Sequence, residues 1–244
     1  AERDARLGFQ TAEARNAYYL AFEDRFRGSA SVIRQRLEVY DALVEQLPRE
    51  ASDLAIDLGA GRGEWLDLLR DHGLRGIGID VNARMVAACR EKRHEAHESD
   101  ALEFLESLDD DSVVMVTGFH LIEHLSFDYL VSLVDQTLRV LVPGGVALFE
   151  TPNPENVFTS SCYFHMDFTH VRPIPPASSQ FLLEQRGFSD VEILRQNVLR
   201  IEEPQIHNIE AEHPLASRLN PAIDILNQRF LDAPDYAVLG HKAT

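Results

Sequence analysis

The sequence predicts an α/β protein built on a parallel sheet, with helices ahead of the sheet and an insertion before its last strand. Three observations carry that expectation. An apolar run, AIDL (55–58), enters three glycines at alternate positions, Gly59, Gly61 and Gly63. A helical pattern, EWLDLLRD, follows at once, and a second apolar run, GIGID, ends on the carboxylate of Asp80. Further on, apolar runs at 112–117 and 145–151 flank a helix-period segment, as strand–helix–strand units require.

In chain order, residues 10–27 and 31–47 read as two helices parted by Gly28 and Ser29. The first carries Tyr18, Phe22 and Phe26 at helical spacing. The second carries an apolar face from Val32 to Leu47 and stops at Pro48. Strands are expected over 53–58, 75–80, 94–99, 112–117 and 145–151, the third being polar throughout. Helices are expected over 63–72, 82–93, 101–107, 126–141 and 176–187. The irregular stretch from Thr151 to Pro176 has the length of a functional loop. SDVEIL and DYAVLGHK read as a closing antiparallel pair, separated by an insertion over about 200–234 that ends in an amphipathic helix, AIDILNQRFL. The organisation expected is a helical cap over 1–50 on a ligand-binding body over 51–244, one domain in all.

With 45% hydrophobic and 26% charged residues among 244, the composition is that of a globular chain long enough to bury a full core. A formal net charge of −17 repels phosphate backbones and anionic membranes, so no nucleic-acid partner is expected. Cys89 and Cys162 have neither metal nor redox spacing. No signal segment or membrane-length apolar run is visible, which predicts a cytoplasmic location.

The alternate glycines leave main chain bare, so a ligand can lie against it. Asp80 can accept hydrogen bonds from both hydroxyls of a ribose, each worth ~1.5–3 kcal/mol to a charged acceptor. The spacing G-x-G-x-x-G would seat a pyrophosphate on the helix N-terminus. Here Glu64 stands where the last glycine would be, and its carboxylate opposes phosphate. A nucleoside without phosphate is the expected ligand.

On these residues the chain resembles the class I S-adenosylmethionine-dependent methyltransferases. ESDALEFL (98–105) matches the third-strand end of that family, and LRVLVPGGVALFETPNP (138–154) its helix, turn and fifth strand. The resemblance implies a Rossmann-like seven-stranded sheet with S-adenosyl-L-methionine as cofactor. It places Gly59, Gly61 and Gly63 under the ligand, Asp57 near its methionine amine and Asp80 on its ribose. It also implies Asp100 and the Ala101 amide at the adenine, with Val81 and Phe119 against the faces of the base.

The acceptor is expected beyond the ends of the fourth and fifth strands, where histidines gather. GFHLIEHL supplies His120, Glu123 and His124; CYFHMDFTHVRPIPP supplies Asp167, Thr169, His170 and Arg172. A histidine titrates near neutrality and can take a proton from a hydroxyl. His120, at the strand end, is the expected general base, with Glu123, His124 and His170 assisting. H-x-x-E-H also matches a helical zinc-protease pattern, but a strand end within this frame is not that context. Two metal-using O-methyltransferase groups, of ubiquinone synthesis and of plant small-RNA methylation, show E-x-x-E-H here, with His120 replacing the first glutamate in this chain. That resemblance implies a divalent ion on His120, Glu123, His124 and His170 as an alternative activator of the acceptor.

Y-x-x-x-F in the first helix, QRLE (35–38), Phe119–Leu125 and the THVRPIPP tail resemble methyltransferases of bacterial O-antigen and surface-polysaccharide synthesis. This implies O-methylation of a sugar or lipid-linked glycan, on a hydroxyl or a phosphate. It also implies that Tyr18 and Arg36 reach over the cofactor, Arg36 toward its carboxylate. Arg172, with Arg27 as a more remote candidate, could hold a phosphate or an acidic sugar. The alternatives are a small phenolic or quinone-like acceptor and a cofactor-binding domain without catalysis. A lining of Asp, Arg, His and Asn favours the sugar; an aromatic lining favours the phenol.

Overall fold

The computed structural model describes residues 11–196, 206–230 and 233–244. Its strands are β1 (Leu54–Leu58), β2 (Arg75–Asp80), β3 (Glu95–Glu98), β4 (Val113–Phe119), β5 (Leu141–Pro152), β6 (Ser189–Gln196) and β7 (Asp235–His241). They form one seven-stranded sheet in the order β3-β2-β1-β4-β5-β7-β6. β1, β2 and β3 run parallel, and β7 runs antiparallel to both β5 and β6. The Rossmann-like class I methyltransferase sheet expected from the sequence is therefore the one observed. The chain divides into two compact units. One runs to Thr117 and adds Val140–Gly145; the other comprises Gly118–Arg139 and Val146–Thr244.

The first unit opens with α1 (Ala12–Phe26), capped by the Thr11 hydroxyl, which accepts from the Ala14 amide. Gly28, at φ +103°, turns the chain, and Ser29 caps α2 (Ala30–Leu37). The single helix expected over 31–47 is instead broken. A 3₁₀ turn at Glu38–Tyr40 separates α2 from α3 (Asp41–Glu45). Packing explains the break: Tyr40 is 1% exposed and its ring stands edge-on to Trp65, with centroids 6.1 Å apart. α4 (Glu64–Asp71) buries Trp65, Leu66, Leu68 and Leu69, and α5 (Ala83–Glu91) buries Met85, Val86 and Cys89. β3 is polar because it is the edge strand. Only Ala96 turns inward, while Arg75 and Glu95 pair on the outside. β4 is buried along its whole length, as suits a strand inside the sheet order. α6 (Ala101–Glu106) lies between β3 and β4 in the chain.

In the second unit, a 3₁₀ turn at Ile122–His124 leads to α7 (Phe127–Val140). β5 begins at Leu141, ahead of the expected start at 145, because Leu141 and Val142 are buried, extended chain. The expected long loop contains a short helix, α8 (Val157–Ser161), and a 3₁₀ turn at Tyr163–Met166. α9 (Pro176–Gln185) and β6 follow. Tyr236 of β7 is fully buried and donates its hydroxyl to the Ile174 carbonyl at 2.9 Å. The start of the expected insertion lies outside the described residues. Its helix, α10 (Ala216–Phe230), holds the preceding segment through Asn220 and Asn227. Each of these amides donates to and accepts from one backbone position, Ile209 and Ile206 respectively. No helix among the described residues is long and apolar enough to cross a membrane.

Gly78 of β2 shows how closely α4 lies on the sheet. A Cβ there would stand 2.8 Å from both the Ala60 Cβ and the Leu66 Cδ1. Gly78→Ala is expected to cost about 1–3 kcal/mol of stability through overpacking, read as a lowered midpoint in urea denaturation. An unchanged midpoint would show that α4 can move away from β2.

Candidate functional site

The first unit builds a glycine cradle. Gly59, Gly61 and Gly63 all adopt positive φ, at +70°, +53° and +79°, a region that side-chain-bearing residues rarely enter. The turn is pinned to the end of β2. The Gly59 and Ala60 amides donate to the Ile79 carbonyl, and the Gly61 amide donates to the Asp80 carboxylate at 3.0 Å. The second Asp80 oxygen accepts from the Asn82 amide at 2.7 Å, and Asn82 in turn caps α5. Burial pushes the Asp80 carboxyl up to about 6, against the opposing pull of those two amides. Asp57, 2% exposed, accepts from the Thr117 hydroxyl at 2.8 Å. Burial pushes it up to about 7, opposed by that hydrogen bond and by the charge of Arg27.

The remaining residues expected at the cofactor are placed as follows. Asp100 caps α6, one oxygen accepting from the Leu102 and Glu103 amides, and Ala101 is the first residue of that helix. Val81, just past β2, is 69% exposed. Phe119, in the second unit, ends β4 almost wholly buried. Tyr18 is partly exposed on α1, and Arg36 lies half-buried on α2. The side-chain atoms nearest to the Cβ position of Gly61 belong to two other residues of this region, Arg27 Nη1 at 3.8 Å and Glu23 Oε2 at 3.9 Å. Glu64 is buried and paired with Arg62 at 2.9 Å.

The second unit gathers the histidines around Glu123, which is fully buried. Glu123 Oε2 accepts from the Thr151 hydroxyl at 2.9 Å. Its Oε1 has no hydrogen bond; it lies 3.4 Å from His120 Nδ1 and 3.9 Å from His170 Nε2. Burial works against the Glu123 charge, but the His120 contact and the charges of His120 and His124 outweigh it and hold the carboxyl below its ordinary range. His120 has φ +54°, unusual for a residue with a side chain. Its amide donates to the Glu150 carbonyl at 2.8 Å. Its Nε2 faces the carboxylates of Glu150 at 3.7 Å and Asp235 at 4.0 Å.

Hydrogen bonds fix the other two rings. The Thr169 hydroxyl donates to Asp167 at 2.6 Å, so it can only accept from His124 Nδ1 at 3.0 Å. His170 Nδ1 donates to the Phe164 carbonyl at 2.6 Å. Both rings then carry a proton on Nδ1. Burial pushes the His170 imidazole below its ordinary range, against the pull of Glu123. One ligand atom from each of Glu123, His124 and His170 lies within 4.8 Å of the others. Of the four expected metal ligands, the structure thus brings three into ligand spacing, with His120 beside Glu123. Arg172 stacks its guanidinium on Phe127, 5.2 Å from the ring centroid.

Two partners of His120 were not foreseen from the sequence. Glu150 reads as part of a strand. Asp235 reaches the cluster because β7 pairs with β5, with Asp235 opposite Pro152.

The Asp57 result makes a prediction. Folding raises its affinity for a proton, so the folded chain holds more protons than the unfolded one between about pH 4 and 7, and stability falls as pH rises through that window. The shift corresponds to ~4 kcal/mol at neutral pH. Asp57→Asn retains an acceptor for Thr117 and removes the charge. Chemical denaturation is expected to show a smaller loss of stability for the variant than for the parent chain between about pH 5 and 8. Equal losses would mean that Asp57 is not the group responsible.

Comparison with known proteins follows the same lines. A family model described as a methyltransferase domain matches residues 32–193. A probable S-adenosylmethionine-dependent methyltransferase of Mycolicibacterium smegmatis is 35% identical over 135 residues, 54% of this chain and 51% of that protein. The chain thus spans about half the length of that curated relative. The crystal structure of a S-adenosylmethionine-dependent methyltransferase from Archaeoglobus fulgidus superposes with a TM-score of 0.81 at 30% identity, covering 92% of this chain and all of that one. A methyltransferase of Haloferax volcanii, solved with its Trm112 activator, shares the fold at TM-score 0.67 and 20% identity, over 93% and 98% of the two chains.

Proposed function

The chain belongs to the class I S-adenosylmethionine-dependent methyltransferases, and from that premise we propose that it methylates a hydroxyl of a sugar or lipid-linked glycan, with His120 as the general base. The observation that carries this reading is the surroundings of His120. Its ring lies within 4.0 Å of three carboxylates, those of Glu123, Glu150 and Asp235. An imidazole so placed gains stabilisation when it takes a proton. The same carboxylates accept hydrogen bonds from a polyhydroxylated acceptor and oppose a phosphorylated one, which favours the hydroxyl over the phosphate.

The cradle fits the cofactor. Gly61 offers bare main chain, and the carboxylates of Asp57 and Asp80 suit a ligand that carries cationic groups and a ribose diol. In this reading Asp57 faces the methionine amine, Asp80 the ribose, and Asp100 with the Ala101 amide the adenine. Val81 contacts the base, and Tyr18 and Arg36 lie over the ligand. The bound cofactor supplies a methyl group on a sulfonium, already a good leaving group. His120 would take the acceptor hydroxyl proton as the methyl group passes to that oxygen, the neutral thioether leaving with the electron pair. Holding the acceptor in line contributes several kcal/mol, and the proton transfer contributes ~10²–10⁴-fold in rate.

A second reading of the activation step is favoured by the Glu123 Oε1 atom, buried without a hydrogen bond between two imidazoles. Glu123, His124 and His170 would hold a divalent ion through one oxygen and two nitrogens, a donor set suited to Mn, Fe, Co or Zn. Such an ion would lower the pKa of a bound hydroxyl.

His120→Ala is expected to leave S-adenosylmethionine affinity unchanged in calorimetry and to lower S-adenosylhomocysteine formation by ~10²–10⁴-fold across a panel of sugar acceptors. Unchanged turnover would remove His120 as the base. EDTA separates the two readings: indifference supports the base alone, whereas a loss restored by Mn²⁺ or Zn²⁺ supports the ion.

A further inference from the structure

We propose that the Glu23–Arg27 pair on α1 receives the amino-acid end of the cofactor, Arg27 binding its carboxylate and Glu23 its ammonium. This rests on the reading that the glycine cradle holds S-adenosylmethionine. It assigns the carboxylate to a residue other than Arg36.

The placement comes from the helix face. Asn16, Glu23 and Arg27 follow one another at helical spacing along one side of α1. The Asn16 carbonyl accepts from the Asn82 side chain at 3.3 Å, which docks this side of the helix beside the end of β2. Two turns on, Glu23 is 8% exposed, and Arg27 Nη1 lies 3.2 Å from Glu23 Oε1. Both side chains end over Gly61, at 3.8 and 3.9 Å from where its Cβ would be. Arg27 is close enough to act electrostatically on both Asp57 and Asp80, and Glu23 on Asp80.

Charge then selects the ligand group. Asp57, Glu64 and Asp80 make the turn acidic, so a carboxylate arriving alone would be repelled. Arg62 pairs with Glu64 and donates to the Gly28 carbonyl. Arg27, paired with Glu23, brings its Nη1 to 3.8 Å from the Gly61 Cβ position. An ion pair of opposite charges four residues apart is complementary to an α-amino acid, whose ammonium and carboxylate are likewise fixed side by side. The guanidinium fork can bind the carboxylate through two parallel hydrogen bonds, which a lysine cannot do.

The test compares S-adenosylhomocysteine with 5′-methylthioadenosine, which keeps the nucleoside and the sulfur but lacks the amino-acid end. In calorimetry on the full chain, Arg27→Ala is expected to weaken S-adenosylhomocysteine ~10–100-fold and leave 5′-methylthioadenosine within about twofold of the parent. Arg27→Lys is expected to recover only part of the loss. The retained binding of 5′-methylthioadenosine also shows that the variant is folded. Unchanged affinity for S-adenosylhomocysteine, or an equal loss for both ligands, overturns the proposal. A parent chain that binds neither ligand overturns the cradle reading itself, and this proposal with it.

Discussion

The hydrogen bond from the Gly61 amide to the Asp80 carboxylate joins the two ends of the glycine cradle. It ties the turn after β1 to the end of β2, and the other Asp80 oxygen starts the chain into α5 through Asn82. The bond can form only because Gly61 sits at φ +53°, between two further glycines in the same left-handed region. A side chain at any of the three would strain the backbone whatever room it had. The positions of Asp57, Asp80 and the starts of α4 and α5 therefore follow from one turn. Because that turn is unhindered at its middle glycine, the ends of Glu23 and Arg27 can come to rest above it.

Glu123 has the corresponding place in the second unit, and it works through charge rather than backbone geometry. One oxygen is satisfied by Thr151, and the other faces two imidazoles. Its carbonyl accepts from the Val171 amide, which holds the loop that carries His170. His124 belongs to the same arrangement, oriented through Thr169 and Asp167. Apart from Asp235, the residues of this cluster come from two segments, 120–124 and 150–170.

The sequence was legible where a feature is local. The apolar runs, the alternate glycines and the acid ending GIGID located β1, β2 and their turn. The polar HEAHES segment could be placed as β3 only from its position in the pattern, since an edge strand with one buried residue has almost no apolar signal. The break at Glu38–Tyr40 was invisible because its reason, the packing of Tyr40 on Trp65, joins residues far apart in the chain. His120 and Glu123 could be read from their spacing, but the positive φ of His120 could not, because no glycine marks it. Asp235 was hidden for a topological reason: the antiparallel insertion of β7 beside β5 brings the far end of the chain to Glu150. In the sequence Arg27 stood out only as a remote candidate for a phosphate or acidic sugar, and nothing singled out Glu23. Their place over Gly61 depends on how α1 docks, which periodicity does not report.

Two kinds of buried carboxylate distinguish the halves of this chain. Asp57 and Asp80 are hydrogen-bonded by uncharged donors, a hydroxyl and backbone amides, so burial dominates and their carboxyls are pushed up to about 7 and about 6. Glu123 is equally hidden from water, yet imidazoles stand beside it and hold its carboxyl below the ordinary range. The difference lies in what each is prepared to meet. A carboxylate destabilised by burial gains most when a cation arrives, and the cofactor proposed for the cradle brings an ammonium and a sulfonium. A carboxylate already stabilised by neighbouring imidazoles has its gain built in. The first arrangement suits meeting a cation from solution; the second keeps a charged carboxylate in place beside the rings. That division of labour depends on the groups next to each acid, and Asp57, Asp80 and Glu123 have different neighbours although each is a carboxylate set within the fold.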